Sequence, residues 1–156
     1  PPKPDTDDGL LTALEVENLD LSQVELAVLS ACETGLGDSA GGEGLLGLQR
    51  AFATAGARSV VASLWSVPDS ETRKLMELFY ENLWGRRLPR VAALREAQLW
   101  MLREGADWRA EQPAERGIAP RTSAHGESRL PPLFWAAFAL SGDWRPVPMP
   151  EKQPLP

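Results

Sequence analysis

Residues 24–37 read Val24-Glu25-Leu26-Ala27-Val28-Leu29-Ser30-Ala31-Cys32-Glu33-Thr34-Gly35-Leu36-Gly37, and this stretch decides the fold. Val24 to Ser30 is short and nearly continuous in apolar residues, the pattern of a strand buried on both faces and central in its sheet. It runs into a cysteine and a glycine-rich turn that continues Asp38-Ser39-Ala40-Gly41-Gly42-Glu43-Gly44. Open α/β sheets place ligands and chemistry at the carboxyl ends of their strands. A glycine-rich turn there lets backbone approach a substrate and offers N–H groups to a developing oxyanion. On position alone two readings of Cys32 stay open. It is a nucleophile that needs a partner base, or a small apolar filler at a strand end.

Outward from this stretch the patterns alternate. Glu43 to Ala55 puts Leu45, Leu48, Phe52 and Ala55 on one helical face, with Gly56 as its stop. Ser59 to Leu64 is a second buried strand, rich in β-branched residues. Asp69 caps a helix to about Trp84, with Thr72, Leu75, Met76, Phe79 and Leu83 on one stripe. Pro89 opens another, aligning Val91, Leu94, Gln98, Met101 and Leu102, and stopping before Gly105. Phe134 to Leu140 is a third strand, and a short helix around Ala13 to Asn18 precedes the first. Strand, helix, strand, helix, helix, strand predicts an α/β fold with a largely parallel sheet. Three strands are few for such a sheet, so half of a domain is expected.

The ordered part is expected over residues 9–144. Proline spacing makes 1–8 and 145–156 extended tails, and Gly105 to Pro132 a long polar loop insertion. The chain has 156 residues, enough for one core, and opens Pro1-Pro2-Lys3-Pro4 without an initiator Met, as an excised piece would. A formal net charge of −6 argues against coating nucleic acid or anionic lipid. No apolar run is long enough to span a bilayer, and no secretory signal opens the chain. A single cysteine fits a reducing compartment, so a cytoplasmic location is expected.

Other motifs give less. Gly35-x-Gly37-x-x-Ala40 fits a loose dinucleotide fingerprint, but the next strand ends Leu64-Trp65-Ser66, without the acidic residue that should follow. Gly37 and Gly42 have phosphate-loop spacing, yet Glu43-Gly44 stands where lysine and serine or threonine are required, and a carboxylate repels phosphate. His125, the single histidine, sits in the polar loop with no strand leading into it and reads as a solvated loop residue. Glu111, Glu115 and Glu127 read as loop solvation. No cluster has metal-ligand spacing, and no cofactor is expected. Trp65, following the second strand, belongs on the same rim as Cys32.

In order along the chain come Asp8-Gly9-Leu10-Leu11-Thr12, Ser30-Ala31-Cys32-Glu33-Thr34-Gly35, Gly42-Glu43-Gly44, Ser63-Leu64-Trp65, Phe79-Tyr80, Ala93-Leu94-Arg95-Glu96-Ala97-Gln98 and Phe134-Trp135-Ala136-Ala137-Phe138. Together they resemble the C-terminal half of the CHAT domain, a caspase-like cysteine peptidase domain usually associated with tetratricopeptide repeats. The resemblance implies a caspase-like three-layer α/β/α sandwich, here incomplete, acting on a protein or peptide substrate. It implies Cys32 as the nucleophile, attacking a peptide carbonyl as thiolate. The family's histidine base belongs to a His-Gly upstream of the cysteine, and residues 1–31 contain no histidine. The piece alone is therefore expected to be inactive, with the base in an upstream half of a parent chain. The resemblance further implies that Glu33, Thr34, Gly35, Ser63, Trp65 and Ser66 meet the substrate. Trp65 and Ser66 are uncharged, which argues against cleavage after Asp. A non-catalytic signalling or scaffold module of the same fold is the alternative.

Overall fold

The computed structural model describes residues 11–30, 43–111 and 129–146. A five-residue helix, α1 (Ala13–Glu17), opens on a reciprocal cap. The Glu15 N–H donates to Thr12 Oγ1 at 3.3 Å, and the Thr12 N–H donates to the Glu15 carboxylate at 2.7 Å. Two of the otherwise unpaired N–H groups of the first turn are thereby satisfied. Then come β1 (Ala27–Leu29), α2 (Glu43–Thr54), β2 (Ser59–Ser63), α3 (Asp69–Tyr80), α4 (Arg90–Ala110) and β3 (Phe138–Gly142).

β2 is the middle strand of three, and all five of its residues are buried. It pairs in parallel with β1, setting Leu29 beside Ala62, and antiparallel with β3, setting Ser63 beside Phe138. Helices cover both faces. Val60 and Ala62 pack towards Phe52 of α2, while Val61 joins Leu75 and Phe79 of α3 and Leu94, Ala97 and Met101 of α4. This alternation follows from the period of two along a strand.

Several expectations are corrected. Among the described residues the sheet is mixed, not largely parallel. The two helices expected after β2 are there: α3 carries the chain from the carboxyl edge to the amino edge, and α4 carries it back. The chain therefore re-enters the sheet at the carboxyl edge and β3 must run against β2. Next, the first strand shrinks to three residues, of which only Ala27 is buried. The fully buried middle position belongs to β2, and β1 meets no other described strand. Finally, α4 runs to Ala110, through the first six residues of the expected 105–132 loop. Gly105 makes this possible, since a Cβ there would stand 2.9 Å from Leu130 Cδ2. The third strand also starts later than expected, because Pro132–Phe134 form a 3-10 turn. Asp69 is the first helical residue of α3, with Pro68 at the capping position. Val91 faces solvent and Ala93 takes its place in the core.

A polar cluster ties down the amino edge. Arg90, fully buried, donates to the Glu25 carboxylate at 2.6 Å and to the Arg145 carbonyl at 3.0 Å. Glu25 also pairs with Arg58 at 3.3 Å. One guanidinium thus joins the segment before β1, the start of α4 and the segment after β3. Just past β3, the Arg145 side chain hydrogen-bonds the Asp143 carboxylate and, with help from the Arg145 backbone N–H, pushes its pKa down to about 2.

Candidate functional site

At the carboxyl edge β1 ends beside β2, and β3 begins there. The described chain stops at Ser30, two residues before Cys32, and resumes at Glu43, the first residue of α2. Cys32, Glu33, Thr34 and Gly35 lie outside the described residues, and so does His125. The other three expected site residues, Ser63, Trp65 and Ser66, are described and share this edge.

Ser63 is buried at the end of β2, and Leu64, Trp65 and Ser66 emerge from it into solvent. The Leu64 N–H donates to the Ala137 carbonyl at 2.7 Å, prolonging the contact with the segment leading into β3 by one residue. Trp65 is fixed across the edge. Its indole N–H donates to the Leu133 carbonyl at 2.9 Å, which sets the plane of the ring and leaves its remaining surface hydrocarbon. Leu133 is half exposed beside it.

Behind this rim the backbone is braced from three directions. Trp135 donates its indole N–H to the Leu130 carbonyl at 2.9 Å. Gln98 of α4 donates its amide to the Phe138 carbonyl at 2.9 Å and the Trp135 carbonyl at 3.4 Å. The third brace is ionic. Glu71, in the first turn of α3, is 1% exposed and pairs with Arg109 in the last turn of α4. Ser70 donates to the same carboxylate at 2.6 Å, and the Arg109 guanidinium lies 4.3 Å from the centre of the Phe134 ring. Breaking a buried pair by removing one partner costs about 3–5 kcal/mol. The pair therefore joins the start of α3 to the end of α4, and Arg109 carries the link on to the turn before β3.

Sequence reasoning missed Leu133, Glu71, Arg109 and Arg90. A signal existed for two of them. Glu71 stands four residues before Leu75 and eight before Phe79, and Arg90 stands four before Leu94. A charge in register with a buried stripe needs a partner. Arg109 and Leu133 carry no such signal, because Arg109 falls in the expected loop and Leu133 between that loop and the expected third strand.

A pocket of about 270 Å³ lies between α2 and the sheet, lined by Leu46, Arg50, Arg58 and Gly142 among others. It sits at the amino end of β2, away from the rim just described. Among the described residues no group of three or more His, Cys, Asp or Glu side chains is placed to hold a metal ion, and no helix is long and apolar enough to cross a membrane.

A family model described as the CHAT domain matches residues 2–143. Tetratricopeptide repeat protein 28 of Mus musculus is 40% identical over 74 residues, which cover 47% of this chain and 3% of that protein. Its counterpart of the same name in Homo sapiens is 39% identical over 88 residues, 56% of this chain and 3% of that protein. The chain thus matches only a small part of the length of these relatives. No solved structure matches it.

Proposed function

The chain belongs to the CHAT domain family, and on that premise we propose that it is the nucleophile-bearing part of a caspase-like cysteine endopeptidase, spanning about residues 9–144. The observation that carries this reading is the shared carboxyl edge of β1 and β2. Leu29 pairs with Ala62, so the segment leading to Cys32 leaves the sheet next to Ser63, Trp65 and Ser66. A peptide held along this edge meets both. In this reading the Cys32 thiolate attacks the peptide carbonyl, a histidine on the upstream half gives the thiol's proton to the departing amine as the C–N bond breaks, and water then hydrolyses the acyl-cysteine. Backbone N–H groups of the glycine-rich turn hold the oxyanion, and Glu33, Thr34, Gly35, Ser63, Trp65 and Ser66 contact the substrate. No cofactor takes part. Tetratricopeptide repeats elsewhere in the same polypeptide, as the names of the relatives suggest, carry partner recognition in the cytoplasm.

The test is exposure of a proteome-derived peptide library to the complete polypeptide that carries this chain. New peptide termini that vanish with Cys32→Ala are expected. Equal cleavage by both, or none by either, contradicts the reading. The alternative is a non-catalytic signalling or scaffold module of the same fold. That module would leave the library uncut.

A further inference from the structure

The rim beside the proposed nucleophile exposes three large apolar side chains: Leu64 at 47%, Trp65 at 38% and Leu133 at 49%. We infer that these residues form a preorganised recognition surface for an uncharged apolar side chain of an extended peptide. The inference rests on the peptidase reading for its place next to the reacting bond, and on its own observations for its chemistry.

Those observations concern charge, polarity and rigidity. Ser63 to Val67 and Leu130 to Phe134 contain no charged residue. The ionic pair behind them, Glu71 with Arg109, is mutually neutralised, and Arg109 lies against the Phe134 ring. The indole N–H of Trp65 is already spent on the Leu133 carbonyl. A ligand that covers this ring therefore meets hydrocarbon and finds no indole donor. An acidic or basic side chain placed here would lose hydration and gain no charged partner from these two stretches, whereas an apolar one removes its own surface and that of Trp65 and Leu133 from water. The bonds to the Leu133, Leu130, Trp135 and Phe138 carbonyls hold the surface in place before anything binds. Little ordering is then left to oppose binding.

The pattern of selection from a randomised extended-peptide library tests this. The bait is the complete polypeptide carrying Cys32→Ala, so that bound peptides are not cut, and the retained pool is sequenced. One position enriched in Leu, Met or Phe over Asp, Glu, Lys and Arg is expected, by roughly tenfold or more, since even a single methylene in an apolar pocket discriminates about 10–200-fold. Trp65→Ala should abolish that enrichment and Trp65→Phe should keep most of it, with both variants melting as the parent does. Leu133→Ser should weaken it. A Trp65-dependent position that selects charged residues overturns the inference, as does a retained pool that is the same with and without Trp65. The two readings fail separately. Trp65-dependent apolar selection by a protein that never cuts would sink the peptidase reading alone. Cys32-dependent cleavage next to charged residues would sink only the apolar surface.

Discussion

Asp143 and Arg145 illustrate how one exposed pair is tuned. Two hydrogen bonds from the Arg145 side chain, and one from its backbone N–H, favour the ionised carboxylate and draw its pKa down to about 2. A depressed folded-state value means that ionised Asp143 favours the folded chain above the ordinary carboxylate value of about 3.9, and that this preference is lost as pH falls through about 2. Arg145→Ala should move the Asp143 titration, followed by carboxyl carbon NMR, up towards the ordinary value. An unmoved midpoint would place the cause elsewhere. The cysteine is the opposite case: the role proposed for it comes from the long ordered run of family residues around it, and it lies outside the described residues. Trp65 was legible from its place after a buried strand. Leu133 was not, because nothing in Leu130-Pro131-Pro132-Leu133 says which carbonyl will meet an indole.

Elements were legible where periodicity was strong. The helices after Gly42 and Pro68, and the strand at Ser59, lie where apolar spacing puts them. Strand direction was not legible, since it depends on the edge to which the two intervening helices return the chain. The end of α4 was hidden for a different reason. Gly105 looks like a stop signal, yet it is a packing site for Leu130. Glycines here serve opposite ends, and substitution separates them. Gly142 has φ +89°, and a Cβ there would lie 2.4 Å from the Arg58 carbonyl oxygen. Gly142→Ala should cost about 1–3 kcal/mol or more, from strained backbone and the forced parting of β3 from the Arg58 turn. Gly47, inside α2, has nothing within 4 Å of its would-be Cβ. Gly47→Ala should therefore stabilise by about 0.5–1 kcal/mol. Urea melts of the two variants should shift in opposite directions; a shift of Gly142→Ala to higher urea would refute the close approach of β3 to Arg58.

Across the whole molecule the two edges of the sheet divide the labour. The amino edge is closed by Arg90, Glu25 and the chain after β3, with a buried guanidinium at its centre. Among the described residues the carboxyl edge is apolar at Trp65 and Leu133, and braced from behind by Glu71 and Arg109. The chain leading to Cys32 leaves from that edge. The account stands on Cys32 being an activated nucleophile there, and covalent capture reads this most directly. The complete polypeptide is treated with peptidyl acyloxymethyl ketones carrying Leu, Asp or Lys next to the reactive group, and the adduct is located by peptide mapping. The account predicts a thioether on Cys32, formed at least about tenfold faster in the native protein than in the urea-unfolded chain, because thiolate fraction and positioning both rise in a competent site. Capture of Cys32 no faster than in the unfolded chain, or protection of Cys32 until the protein unfolds, would contradict it.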